Sequence, residues 1–255
     1  MLSYTKQNID SSTVIPLVLL HGFLESSIMW DQVQFPVNYP IIKIDLPGHG
    51  KSTDPNLLCE SISDMAKAAM KVIDKLQIET YHLIGHSMGG YVCLEMKRLD
   101  PRSEKIMLLN SNFWADSPEK VKDRERVAKI VQSNKSHFIY EVIPNLFMDP
   151  EANDSDVKGL IAEALEISST SIASASIAMS KRTDHSDFVR EHPEDFTVIQ
   201  GAEDPIVGLG QMRELLEGVK LDYFELEEVG HMAHFEAKRR LNKLVGNFLK
   251  YRTEI

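Results

Sequence analysis

Tyr81-His82-Leu83-Ile84-Gly85-His86-Ser87-Met88-Gly89-Gly90 runs from an apolar stretch into a glycine-bracketed serine, and then straight into a helix-period stretch. Glycine, any residue, serine, any residue, glycine between a strand and a helix has a physical reason. The turn is so tight that the serine backbone is strained, and glycines two residues before and after remove side chains that would strike neighbouring strands and the helix. The hydroxyl then points into a cleft above a helix N-terminus, whose dipole favours developing negative charge. The competing reading is a glycine-rich turn with an incidental serine; a strand and a helix on the correct sides argue against it.

Working outward, short apolar runs at 14–20, 41–46, 81–85, 105–109, 196–200 and 223–229 alternate with amphipathic stretches at 62–76, 88–99, 206–216 and 235–249. Runs of this length, apolar on both faces, suit central strands of a covered parallel sheet. The alternation predicts an α/β fold with a doubly wound, mostly parallel sheet. It breaks once. Residues 112–194 carry no strand-like run and read as helices over 118–131, 137–147, 155–165 and 169–181, with Ser117-Pro118 as a good helix start. So long an insertion is no simple loop. The expected organisation is a core of residues 1–111 and 195–255, with 112–194 as a helical cap.

Composition narrows the function classes. The 255 residues are 43% hydrophobic and 26% charged, which fits one globular unit. A formal net charge of −10 repels phosphate backbones and anionic membranes, so neither nucleic acid nor a membrane is an expected partner. Cys59 and Cys93 are the only cysteines and have no metal-ligand spacing. The first apolar run is too short to span a bilayer and no signal peptide is read, so the expected location is cytoplasmic.

In open α/β sheets ligands bind at the carboxyl ends of strands, so the residues just after each run are the ones to weigh. A serine needs a base. His231, in Val229-Gly230-His231, follows the last strand run, while His234 is expected inside the final helix. The base needs an acid to orient it. Asp204, in Gly201-Ala202-Glu203-Asp204-Pro205, follows the run at 196–200. Its competing role is an N-cap for the helix from Ile206; Glu203 is adjacent, and Asp116 is the fallback acid. An oxyanion needs two backbone donors, expected at Met88, next to the serine, and at Phe23 in His21-Gly22-Phe23. No metal and no organic cofactor is expected.

Taken together, His21-Gly22-Phe23, Asp45-Leu46-Pro47-Gly48-His49-Gly50-Lys51-Ser52, Gly85-His86-Ser87-Met88-Gly89-Gly90, Gly201-Ala202-Glu203-Asp204 and Gly230-His231 resemble the α/β-hydrolase family over nearly the whole chain. The order Ser, Asp, His is the family's order. The resemblance implies a helical cap inserted after the sixth strand, and a mainly structural loop around His49. The family often opens with an additional hairpin; this chain has room for one edge strand within residues 2–7. Dehalogenases and epoxide hydrolases of this fold carry Asp where Ser87 stands. The opening His21-Gly22-Phe23-Leu24-Glu25-Ser26 is similar to the menaquinone-pathway synthase branch, but the Arg those relatives carry four residues after the nucleophile is Tyr91 here.

The implied function is a serine hydrolase cleaving a small-molecule carboxylic ester through an acyl-enzyme. The alternatives are a pyruvate-eliminating carbon–oxygen lyase and a slow hydrolase used as a ligand receptor. Phe113 and Trp114, which begin the insertion next to a strand end, and Tyr91 are the expected substrate contacts. Phe138, Ile139, Phe147, Ile172 and Met179 are read first as the insertion's own core, and Arg124 and Arg126 as a solvated helix face.

Overall fold

Successive residues of a strand point to opposite faces of a sheet, and here both faces are apolar. A computed structural model describes residues 1–9 and 14–250. Its strands are Tyr4–Gln7 (β1), Leu17–Leu20 (β2), Ile41–Ile44 (β3), Tyr81–His86 (β4), Ser103–Leu109 (β5), Phe196–Gly201 (β6) and Asp222–Leu226 (β7). Every residue of β2, β4 and β6 is buried. The seven strands lie in the order β1-β3-β2-β4-β5-β6-β7. β1 pairs antiparallel to β3 and all other neighbours pair parallel. β1 is the single edge strand expected before the first parallel run.

The helices are Ile62–Lys75 (α1), Met88–Leu99 (α2), Pro118–Val142 (α3), Asp154–Glu166 (α4), Ser169–Ser180 (α5), Ser186–Glu191 (α6), Leu209–Leu216 (α7), Ala233–Glu236 (α8) and Lys238–Lys250 (α9). On one face of the sheet Val18, Leu20, Ile42, Ile44, Leu83 and Leu108 pack with Met65, Ala69 and Val72 of α1 and Val92 and Met96 of α2. On the other, Leu17, Leu19, Ile41, Ile84 and Leu109 pack with Trp30 and with Leu241 and Val245 of α9. Each such side chain contributes about 1.5–3 kcal/mol when fully buried, so the two faces together hold the strand ends in place.

Helices α3 to α6 lie between β5 and β6. In chain order the insertion follows the fifth strand, because one strand precedes β2 where the family count has two. Val131, Ile139, Ile143, Phe147, Leu160, Ile161 and Ile172 form an apolar cluster that reaches the sheet's loops through Leu24 and Met232. Ser117 and Ser168 cap α3 and α5 by accepting from the amides of Lys120 and Ser171.

Some boundaries differ from the sequence reading. The two helices expected at 118–131 and 137–147 meet within α3, where Asn134 (φ −134°, ψ 40°) leaves helical geometry between them, and the second ends at Val142, before the turn at Pro144–Leu146. The run at 223–229 stops as a strand at Leu226, and the chain turns at Glu228 with φ 57°. The helix expected from 206 begins at Leu209. The final stretch is split between α8 and α9, with His234 in α8. Among the described residues no helix is long and apolar enough to cross a membrane.

Candidate active site

At the end of β4 the chain must reverse onto α2 within one residue. Ser87 makes that turn with φ 48° and ψ −116°, a conformation that costs a residue with a side chain on the order of 1–3 kcal/mol. The surroundings hold it there. The Ser87 amide donates to the Leu109 carbonyl at 3.0 Å, and the Ser111 hydroxyl donates to the Ser87 carbonyl at 2.7 Å. A Cβ at Gly85 would lie 2.5 Å from the backbone of Gly89, and one at Gly89 2.3 Å from the Leu20 carbonyl oxygen. Both glycines are therefore demanded by packing.

The loops after β6 and β7 complete the group. His231 Nε2 lies 2.8 Å from Ser87 Oγ, and its Nδ1 lies 2.8 and 3.0 Å from the two oxygens of Asp204. A carboxylate accepts, so Nδ1 carries the hydrogen and Nε2 is left to accept from the serine hydroxyl. Asp204 also accepts from the amides of Ile206 and Val207 at 2.8 and 3.0 Å. Asp204 braces the bend that leads towards α7 and does not cap that helix, whose N-cap is Gly208. Burial works against its charge, but His231, Asn110 and the Val207 amide override this and hold the carboxyl below its usual range. Glu203 makes no such contact; only its amide is engaged, donating to the Val229 carbonyl.

Met88 opens α2, so its amide has no intrahelical acceptor. In the loop after β2 the Gly22 amide is taken by Glu25 at 2.7 Å, and Phe23 comes next. Phe23, Ser87, His231 and Met232 line a cavity of about 150 Å³ whose other walls include Leu24, Val127, Phe138, Val142, Met179 and Ile206. Lys120, Asp123 and Arg124 give it a polar end. Burial, and then the neighbouring Arg124, depress the Lys120 ammonium.

Three expected contacts lie elsewhere. Phe113, Trp114 and Tyr91 do not line this cavity. Phe113 is 1% exposed in the core beside the sheet, with Trp114 edge-on to it at 5.4 Å. Tyr91 lies under the Arg182 guanidinium, 4.3 Å from ring centroid to Cζ, and its hydroxyl accepts from Asn112. The apolar end of the β5 strand draws these rings into the core before the chain enters the insertion. Of the insertion's apolar residues, Phe138 and Met179 reach the cavity, while Ile139, Phe147 and Ile172 are buried in its own cluster. Arg124 is not a solvated face: its side chain is 14% exposed and pairs with Asp116. Asp116 also holds Arg182, and the carboxylate that meets His231 is that of Asp204. His49 is buried, its imidazole pushed down to about 4 by burial and by His21.

Residues that the sequence reading did not single out also shape the site. Asn110, at the end of β5 with φ 44°, donates to Asp204 Oδ2 at 2.9 Å and to the Gly230 carbonyl at 3.0 Å. Glu236 accepts from the amides of Met148, Gly230 and Met232 at 2.7, 3.0 and 3.2 Å, and the His231 amide donates to the Leu146 carbonyl at 2.7 Å. The insertion is thereby fastened to the loop that carries His231. An asparagine directly after an apolar strand run is the one signal a sequence could have offered, because asparagine tolerates positive φ.

Known proteins agree with this architecture. A dihydrolipoyllysine-residue acetyltransferase component of an acetoin cleaving system from Pseudomonas putida is 26% identical over 243 residues, which cover 92% of this chain and 63% of that protein. The chain therefore spans less than two thirds of that relative's length. A thermophilic esterase from Thermogutta terrifontis superposes with a TM-score of 0.87 at 24% identity, covering 98% of this chain and 93% of that one. MenH from S. aureus superposes with a TM-score of 0.85 at 19% identity, with each chain covered completely. At these identities the likeness establishes the fold. The model of the alpha/beta hydrolase family matches residues 17–244, and the chain belongs to that family.

Proposed function

We propose that the protein is a serine hydrolase that cleaves small-molecule carboxylic esters through an acyl-enzyme. The observation that carries this reading is the continuous path from Ser87 Oγ through His231 to Asp204, with 2.8 Å at each junction. Ser87 attacks the ester carbonyl as its proton passes to His231 Nε2. The amides of Met88 and Phe23 stabilise the oxyanion, each worth about 3 kcal/mol in the transition state. His231 returns the proton to the departing alcohol. Water then gives up a proton to His231 and attacks the acyl-serine; as the bond to Ser87 Oγ breaks and the acid leaves, His231 returns that proton to Ser87 Oγ. Asp204 keeps His231 in the tautomer that can accept.

The largely apolar walls of the cavity favour an acyl or alcohol group of modest size. Helices α3 to α6, within residues 112–194, act as the cap that supplies those walls through Phe138, Val142 and Met179. The resemblance to the menaquinone-pathway synthase branch supports a second use of the same groups, removal of a proton with elimination of pyruvate.

A panel of p-nitrophenyl esters of rising chain length tests the proposal. Turnover in the wild type that disappears in Ser87→Ala is the expected result. Ligand-dependent thermal stabilisation with no ester turnover would overturn it in favour of a receptor.

A further inference from the structure

Beside the reacting groups lies a second buried set that this chemistry does not use. Glu25, His86 and His234 are 1%, 1% and 0% exposed. They come from the loop after β2, the residue before Ser87, and α8. Glu25 Oε2 accepts from the Gly22 amide at 2.7 Å and lies 2.7 Å from His86 Nδ1. The other nitrogen of His86, Nε2, lies 2.9 Å from the His231 carbonyl oxygen. Glu25 Oε1 is 3.2 Å from His234 Nε2.

The protons follow from the geometry. A carbonyl only accepts, so His86 Nε2 carries a hydrogen. At Nδ1 the partner is the same Glu25 oxygen that already accepts from Gly22, which suits a carboxylate receiving two N–H groups. His86 then carries both of its hydrogens and is an imidazolium. Burial opposes both charges, and their mutual attraction overrides it, raising His86 and holding Glu25 well below the usual carboxylate range. The sequence around the pair is fitted to it. A Cβ at position 22 would lie 2.3 Å from Glu25 Oε2 and 2.7 Å from His86 Nδ1, so Gly22 makes room for the pair.

We propose that Glu25 and His86 form a buried carboxylate–imidazolium clamp that positions the reacting groups, fixing the loop that carries the Phe23 amide on one side of Ser87 and the main chain of His231 on the other. The proposal rests on the hydrolase reading above. The clamp adds a polar tie between the loops after β2 and β7 to the apolar contact of Leu24 and Met232, and it stays in place while the serine–histidine contact breaks and reforms in every turnover. A misplacement of about 1 Å costs about 100-fold in rate.

The test uses Glu25→Gln, Glu25→Ala and Ser87→Ala in the full chain. Active sites are counted by the p-nitrophenol burst from a p-nitrophenyl organophosphate. Expected for Glu25→Gln is a kcat per counted site about 100-fold lower, with KM within about threefold. Affinity for phenylboronic acid, whose serine adduct is tetrahedral, falls by a comparable factor. Glu25→Ala falls further because Gly22 also loses its acceptor; if it does not fold, the glutamine variant carries the measurement. A residue that only stabilises the fold would reduce the number of sites and leave kcat per site and the boronate affinity unchanged, and that result overturns the clamp. Histidine ring NMR reads it independently of any turnover. The wild type should hold both His86 ring protons at pH 7, above the ordinary imidazole value of about 6.5, and Glu25→Gln should lose one; a neutral His86 in the wild type at pH 7 overturns the proposal. Absence of Ser87-dependent ester turnover together with a doubly protonated His86 would instead overturn the hydrolase reading.

Discussion

The loops that follow β5 and β6 each bury an aspartate against a nitrogen base, and they do different things with it. Asp204 meets His231, whose second ring nitrogen is left to accept the proton of Ser87 Oγ. Asp116 meets Arg182 and Arg124, which stay charged in proteins. The first arrangement can take part in proton transfer; the second is a fixed ion pair that joins the start of α3 to the end of α5. A strand end is therefore not enough to mark an acid. What decides is whether the group facing it can change its charge.

Substitutions can break that contrast at several depths. Ser87→Ala is expected to lower kcat by about a million-fold, since the path from Asp204 then leads nowhere; esterase activity near the wild-type rate would end the assignment. Asp204→Asn comes next, at about ten thousand-fold in kcat, because an amide no longer holds the accepting tautomer of His231. The same variant has a readable effect on acid stability. The Asp204 carboxyl is held below its usual range in the fold, so its contribution is full above an unfolded value of about 3.9 and is lost as pH falls through the folded one. In Asp204→Asn the acid limb of a Tm-against-pH profile should be shallower.

Asp116→Asn should invert that pattern, with kcat within about threefold but a stability loss of about 3 kcal/mol by urea unfolding, because two arginines lose their buried partner. If Asp116→Asn were crippling and Asp204→Asn nearly silent, the two loops would have been assigned the wrong way round. The smallest effect separates the cavity from the core next to it. Phe138→Ala should raise KM for longer acyl esters by about tenfold, as expected from about 1.5 kcal/mol of lost apolar contact, whereas Trp114→Ala should leave KM within about twofold and appear as a lower Tm.

What could be read in the sequence follows the same division. The turn at Ser87 was legible because backbone crowding restricts positions 85 and 89 to glycine, and such restrictions survive as spacing. The alternation of strands and helices was legible because both sheet faces are apolar. Rings near the site were misread, since Phe113 and Trp114 look alike whether they line a cavity or fill a core. Glu25 passed unnoticed for a related reason: a glutamate in a loop reads as solvated, and only the arrival of His86 from sixty-one residues away makes it an interior group. The break between the helical stretches at 118–131 and 137–147 was legible for the same reason as the strands, since the apolar pattern lapses there and Asn134 leaves helical geometry.

The tie between Leu146 and His231, reinforced by Glu236, bears on how this architecture can be rebuilt. A chimera that exchanges residues 118–191 for the corresponding helices of another hydrolase would remove the carbonyl that anchors the histidine's main chain. Such grafts would need to retain the short turn at 144–148 as part of the recipient. Interchangeability of the helical segment thus ends at that turn, which belongs with the sheet's loops and not with the helices around it.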